Sequence, residues 1–364
     1  MIDFRYHLVS LISVFLALAV GIALGAGPLK ETIGDTLTGQ VEQLRAEKEE
    51  LRVQLDEASA ENADQEAALA AAAPALLDGI LPGRRVAVVQ LGDVQAEVRD
   101  QVTERLTQSG ATVSATVQVT ELWDDPSQRS FRQSIASSLL QWLDPVPAED
   151  AGTGTELAEA LAQALTAAEP TDPDAVAANA TTVMDVLVES GLVTVGDDGV
   201  AAPADAIVLL AGPTTSAEEA TTTQPTAEDD PAEQELADAR LTSAAQIARA
   251  AQDRSRGAVV AGGELAEGTL VLRIRDEEQA SGRISTVESV HELVGQISVP
   301  LALSARLGGT VGHYGPSDDA TAPLPPHVVL PPVERVPAQP AVDPNAGVDP
   351  NAPDAGADAG TETG

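Results

Sequence analysis

The chain has 364 residues, 43% of them hydrophobic, enough apolar material to bury the core of one or two globular domains. Its 57 acidic against 20 basic side chains give a formal net charge of −37, which argues against contact with nucleic acid or anionic lipid headgroups, since both repel such a surface. Cysteine is absent, which removes a disulfide framework, a thiolate metal site and a cysteine nucleophile.

The first element is an uncharged stretch between His7 and Lys30, running from Leu8 to Leu29 and rich in Leu, Val, Ile and Ala. About twenty apolar residues are what a helix needs to cross the ~30 Å hydrocarbon core of a bilayer. We read residues 1–30 as a single membrane-spanning anchor. A secretory signal peptide is the rival reading, but Asp3 offsets Arg5 in the n-region and the apolar run exceeds the roughly 7–15 residues of an ordinary h-region. The small residues around Gly25, Ala26 and Gly27 leave cleavage open. Arg5 and Lys30 nearly cancel as orientation signals. The short amino terminus is therefore expected inside and the rest outside, because six residues cannot form a domain. Within the anchor, Ala17, Gly21 and Gly25 recur at four-residue spacing, a stripe of small residues that lets two helix backbones approach closely in lipid.

A seam of alternating four- and three-residue steps follows over residues 36–75: Leu37, Val41, Leu44, Lys48, Leu51, Leu55, Ala58, Asn62, Gln65, Leu69 and Ala72. Val41, Lys48, Leu55, Asn62 and Leu69 take the a positions, and Leu37, Leu44 and Leu51 are among the d positions. Lys48 and Asn62 weaken such a seam but fix its register and favour two strands. Glu47 at g pairs with Arg52 at e of a parallel partner in this reading. The expectation is a coiled-coil stalk in a parallel homodimer, roughly 55 Å long at 1.5 Å per residue. The alternative is an amphipathic helix folded back on its own domain.

The head begins after Pro82-Gly83. Arg85 to Leu91 reads as a buried strand, Val94 to Ser109 as an amphipathic helix stopping at Gly110, and Ala111 to Thr120 as a second strand. This βαβ order implies a parallel sheet. Helices are expected around 128–143, 155–168 and 173–190, with Pro173 in the first turn of the last. Ile207 to Gly212 and Ala258 to Gly263 read as strands, 233–254 as a helix, and Gly268 to Arg275 as a further strand. Together these predict one doubly wound α/β domain over residues 80–315, interrupted by mobile loops at 145–154 and 213–232. From Pro316 the chain turns proline-rich and acidic, with the near-repeat Val-Asp-Pro-Asn-Ala at 342–346 and 348–352, and is expected to be a disordered tail over 316–364.

Chemistry is sparse. The turn after the first strand, Leu91-Gly92-Asp93-Val94, has neither a dinucleotide fingerprint nor a phosphate-binding lysine, and its acids repel phosphate. Gly262-Gly263 with Glu264 and Glu267 fails likewise. No Ser/His/Asp spacing suggests an enzyme. Of His7, His291, His313 and His327, only His313, in a glycine-rich turn beside Tyr314, is a weak metal candidate. Asn179-Ala180-Thr181 matches a glycosylation acceptor, a pattern too short to weigh.

Two blocks carry a resemblance. The opening block runs from Met1-Ile2-Asp3-Phe4-Arg5-Tyr6-His7 through Val20-Gly21-Ile22-Ala23-Leu24-Gly25. The late block is Ser285-Thr286-Val287-Glu288-Ser289-Val290, Gly295-Gln296 and Gly308-Gly309-Thr310-Val311-Gly312-His313-Tyr314-Gly315. Together they are similar to the actinobacterial family named after mycobacterial copper transport protein B, over about residues 1–316. The resemblance implies an outer-membrane channel that helps expel copper, and copper as the species handled. The residues point elsewhere for mechanism. Copper(I) prefers thiolate or thioether and copper(II) imidazole, whereas this chain offers no Cys, two Met and four scattered His. A membrane barrel needs aromatic girdles, and of seven aromatics Phe4, Tyr6 and Phe15 lie in the anchor, leaving Trp123, Phe131, Trp142 and Tyr314. The resemblance also reaches proteins of cell separation in corynebacteria, and so implies a second role. In that role a membrane-anchored coiled-coil dimer, without catalysis of its own, works with an envelope partner at the stalk to control a peptidoglycan hydrolase.

Overall fold

In the computed structural model, residues 3–26, 28–212 and 231–335 are described. The chain divides into two units, Met1–Ala68 and Leu69–Gly364.

The first unit is helical. Helix α1 spans Asp3–Ala26, and within it Phe4–Ala23 is long and apolar enough to cross a membrane, with none of it buried. The Ser13 hydroxyl donates to the Val9 carbonyl (2.8 Å), which satisfies a polar side chain inside an apolar helix. Helix α2, Pro28–Leu77, opens on proline, whose missing N–H costs nothing in a first turn. It is polar overall, and its exposed surface carries local ties such as Gln43 to Glu47 (2.9 Å) and Arg52 to Glu49 (3.6 Å).

In the second unit the last turns of α2 change role. Leu69 packs against a hydrophobic cluster that contains Ala73, Leu77, Ile80 and Leu81, the last four fully buried. Gly79, at φ +69°, ends the helix in the left-handed conformation that only glycine adopts without strain.

The sheet has seven strands: β1 (Arg85–Leu91), β2 (Thr112–Val119), β5 (Val193–Val195), β6 (Ala206–Ala211), β7 (Ala258–Gly262), β8 (Ser285–Val287) and β9 (His313–Tyr314). Their order is β5-β2-β1-β6-β7-β8-β9, and all pairs are parallel except β2 with β5. β1, β6 and β7 are buried on both faces, which is why their sequences are continuous apolar runs rather than alternations. Alternate residues feed two cores: Ala87, Val89 and Leu91 face one, Val86 and Val88 the other. The first core is covered by α4 (Arg129–Leu139), α5 (Thr153–Thr166), α6 (Ala178–Glu189), α7 (Pro231–Arg254) and α8 (Leu270–Asp276). The second is covered by α3 (Ala96–Gln108), the end of α2, and the last long helix (Leu293–Leu307).

The structure departs from the sequence expectations in several places. Gly268–Arg275 is not a strand: Leu270–Asp276 is helical, with the Thr269 hydroxyl accepting from the Leu272 N–H (3.4 Å). Leu270, Val271 and Ile274 share a helical face sunk in the core, while Arg273 and Arg275 sit in the last turn. Pro173 does not start a helix either. It lies in β4 (Asp172–Val176), which pairs with β3 (Ala168–Glu169) as a two-stranded ribbon, a setting without the central-strand hydrogen bonds that proline would break. Strands β5, β8 and β9 are too short to show a period in sequence. A four-residue helix, α9 (Glu278–Ser281), and the Leu293–Leu307 helix, now α10, were also not read from sequence. Residues 293–305 of α10 are buried almost throughout, so no polar face marks it as amphipathic.

No regular element forms between Leu143 and Thr153, whereas residues 213–230 of the second expected loop lie outside the described residues. The expected tail does not begin at Pro316. Residues 316–335 lie along the domain: Leu330 is buried, Arg84 donates to the Pro331 carbonyl (2.9 Å), and Arg335 donates to the Gly83 carbonyl (2.9 Å) and Asp205 (2.6 Å). Their prolines suit extended chain held by partners rather than by its own hydrogen bonds. Residues 336–364, with the near-repeat, lie outside the described residues.

Candidate functional site

Ala17, Gly21 and Gly25 all fall within α1, and four-residue steps place them along one face of it. The seam residues from Leu37 to Ala72 all fall within the single helix α2. Between Val41 and Leu55 the seam is open to solvent in one chain: Val41 is 45% exposed, Leu44 63%, Leu51 64% and Leu55 68%. Lys48 within this stretch and Asn62 beyond it are exposed as well. Val41, Leu44, Leu51 and Leu55, all large and apolar, stand exposed at heptad spacing along one helix. Below Gln65 the stripe in use shifts to Leu69, Ala73 and Leu77, four-residue steps that leave Ala72 exposed and serve the head's own core.

In a doubly wound sheet, ligands bind beyond the carboxyl ends of strands where the order reverses, here between β1 and β6. Among the described residues, backbone packs closely against backbone at that crevice. The Gly212 N–H donates to the Leu91 carbonyl (2.8 Å), and a Cβ on Gly212 would lie 2.2 Å from the Asp93 carbonyl oxygen.

The late sequence block assembles a different centre at β8 and β9. Arg275, from the end of α8, donates through Nη1 to Glu288 Oε1 (2.7 Å), through Nε to Thr286 Oγ1 (3.0 Å), and more weakly to Ser317 Oγ (3.1 Å). Ser317 Oγ in turn donates to Glu288 Oε1 (2.5 Å). The Arg275 and Glu288 side chains are 6% and 2% exposed, so this ion pair is desolvated and needs its extra hydrogen bonds. His313 sits beside it, half-buried, with Nε2 2.9 Å from Ser281 Oγ and Nδ1 2.9 Å from Thr286 Oγ1. Burial, and then the Arg275 charge, push its pKa below the ordinary histidine value, which favours the neutral ring. Both ring nitrogens already have partners, so ligating a metal through His313 means breaking one of these bonds.

Two close approaches lock the centre. Gly315 (φ +147°) stands where a Cβ would be 2.5 Å from the Glu288 carboxylate carbon, and a Cβ on Gly295 would be 2.2 Å from the Ser289 carbonyl oxygen. Ser289 itself has φ +53°, with its N–H donating to the Gly263 carbonyl (2.8 Å). Arg275 and Glu288 sit thirteen residues apart in sequence, in a helix and in the loop after β8, and no local period pairs them. Among the described residues, no group of three or more His, Cys, Asp or Glu side chains is placed to hold a metal ion.

The described residues combine an apolar helix of membrane-spanning length, a long polar helix with exposed apolar residues at heptad spacing, and a mixed α/β sheet domain. Residues 1–325 match the family described as copper transport outer membrane protein, MctB, and the chain belongs to that family. It is 29% identical over 327 residues to the copper transporter MctB of Mycobacterium tuberculosis (strain ATCC 25618 / H37Rv), covering 86% of this chain and 96% of the relative. Its identity to the copper transporter MctB of Mycobacterium leprae is 27% over 338 residues, covering 88% and 98%.

Proposed function

We propose that this protein is a membrane-anchored envelope protein of copper homeostasis, with its head outside the cytoplasm and its α2 seam paired with a second copy. Family membership supplies the copper: the relatives carry the name copper transporter. The observation that carries the architecture is the exposed seam from Val41 to Leu55, continuous in one helix with the segment that follows the membrane-length span.

Copper enters this reading as cargo of the system, with no resident copper centre on the head. The described strands all belong to the open α/β sheet and its small ribbon, which favours the helix as the membrane element. A parallel dimer would bury Val41, Leu44, Leu51 and Leu55, each worth about 1.5–3 kcal/mol when fully covered, against the cost of seating Lys48 and Asn62. The same exposed seam favours one alternative, a non-catalytic dimeric scaffold that controls a peptidoglycan hydrolase through an envelope partner at the stalk.

The discriminating experiment measures cell-associated copper under copper stress in a deletion strain, with septa scored in the same culture. The strain is complemented by the wild type or by the double variant Leu44→Pro/Leu51→Pro. Raised copper with normal septa supports the copper reading. Normal copper with unseparated chains of cells replaces it with the scaffold. Full rescue by the proline variant overturns a role for the stalk in either.

A further inference from the structure

A chain with 20 basic residues against 57 acidic ones has little positive charge to spend, yet five arginines gather at the amino-terminal edge of its sheet. Arg84 and Arg85 open β1, Arg254 and Arg256 precede β7, and Arg335 arrives from the segment laid along the domain. Arg85, Arg254, Arg256 and Arg335 line a cleft of about 320 Å³ together with Asp205 and Glu334. Its size falls within the range of small-molecule sites.

The arginines are not equally committed. Arg254 is fully engaged, donating to the Asp144 carbonyl (2.7 Å), the Pro145 carbonyl (2.7 Å), Gln163 (2.9 Å) and Glu159 (2.5 Å). Arg335 is held by Asp205 and the Gly83 carbonyl. Arg85, whose side chain is 9% exposed, pairs through Nη2 with Asp174 and the Pro173 carbonyl, but its Nη1 is buried with no hydrogen-bond partner. Arg256 is exposed and its side chain makes no hydrogen bond or ion pair among the described residues. Nearby Arg84 is buried and has an unpartnered Nε; burial and then the opposing charge of Asp205 act on it most strongly, with the like charges of Arg256 and Arg335 after them. A buried guanidinium nitrogen left without an acceptor is destabilising, a penalty that an incoming oxyanion would remove.

We propose that this cleft binds a small organic anion. Its carboxylate or phosphate group would be held by Arg85 and Arg256, and its short body would rest against Pro173, Pro203 and Ala204. The guanidinium fork matches either oxyanion with paired N–H donors. Thr166 and Ser255 also line the wall, but their hydroxyls already donate to the Ala162 carbonyl (2.7 Å) and the Gly257 carbonyl (3.0 Å), so the arginines are the donors left to an anion. The site lies at the opposite ends of the strands from the β1–β6 crevice, and it does not depend on how the protein handles copper.

The test is calorimetric titration of the full chain in non-ionic detergent at low ionic strength with glycerol 3-phosphate, inorganic phosphate, malate and, as a neutral control, glycerol. Saturable binding of a phosphate or of malate is expected, and which of them binds names the oxyanion. Arg256→Gln should weaken that binding about tenfold or more, because it removes a charge-assisted donor without disturbing the fold. Ala168→Leu should weaken it by filling the cleft. Arg99→Gln, an equal charge change on exposed α3, should leave it unchanged. No saturable binding by any anion, or equal affinity in wild type and Arg256→Gln, overturns the proposal.

Discussion

Arg275 and Glu288, thirteen residues apart in sequence, meet as a buried ion pair with Nη1 2.7 Å from Oε1. The pair joins the end of α8 to the loop after β8, and through Ser317 it also fastens the segment that follows β9. Breaking one side of such a pair leaves an uncompensated buried charge, so Glu288→Gln is expected to destabilise the head by about 3–5 kcal/mol. Denaturant unfolding of the full chain checks this. A loss below about 1 kcal/mol would mean that Arg275 finds another acceptor.

The two glycines that crowd this centre differ from the one that ends α2. Gly295→Ala drives a Cβ to 2.2 Å from a backbone oxygen that cannot swing away, so a loss of about 3 kcal/mol or more is expected. Gly79→Ala meets nothing within 4 Å and has only its φ of +69° to resist it, so about 1–2 kcal/mol is expected. Equal losses for the two variants would show that close packing at Ser289 is not what demands glycine.

The neutral state of His313 gives stability a pH dependence of definite sign. Because folding lowers its pKa, the unfolded chain takes up the proton first as pH falls below the usual histidine value near 6.5. The contribution is therefore complete above that value and is lost as pH falls toward the lowered folded one. Melting temperatures between about pH 5 and 7.5 should drop more steeply for the wild type than for His313→Asn. Parallel curves would exclude His313 as the source.

Leucines at the two ends of α2 should respond in opposite ways. Leu77 is fully buried in the head, and Leu77→Ala is expected to cost about 2–5 kcal/mol in unfolding of the head. Leu44 is 63% exposed in a single chain, so Leu44→Ala should leave that transition unchanged while weakening self-association in sedimentation. If Leu44→Ala leaves sedimentation unaltered as well, the seam does not pair copies of this chain.

Much of the framework was legible because it depends on local pattern. Arg85–Leu91, Ala206–Ala211 and Ala258–Gly262 announce themselves as doubly buried strands by unbroken apolar runs. The order of strand, helix and strand at β1, α3 and β2 implies a parallel sheet, and those strands are parallel. The misreadings share a cause. Leu270–Ile274 is apolar enough to read as a short strand, but a capping Thr269 and a core on one side make it a helix. Pro173 fits a helix start in isolation, yet it sits in a ribbon whose Pro173 and Asp174 both engage Arg85.

The sequence by itself determined the membrane-length span, the heptad spacing of α2 and the doubly buried strands β1, β6 and β7, because each follows from the spacing of apolar residues along the local chain. Only the tertiary structure decided where α2 turns from its open seam to the stripe of Leu69, Ala73 and Leu77, that Glu288 answers Arg275, and that four arginines line one cleft. Those outcomes depend on partners up to 252 residues distant, as Arg335 is from Gly83, and no local period encodes which distant surface a side chain will meet.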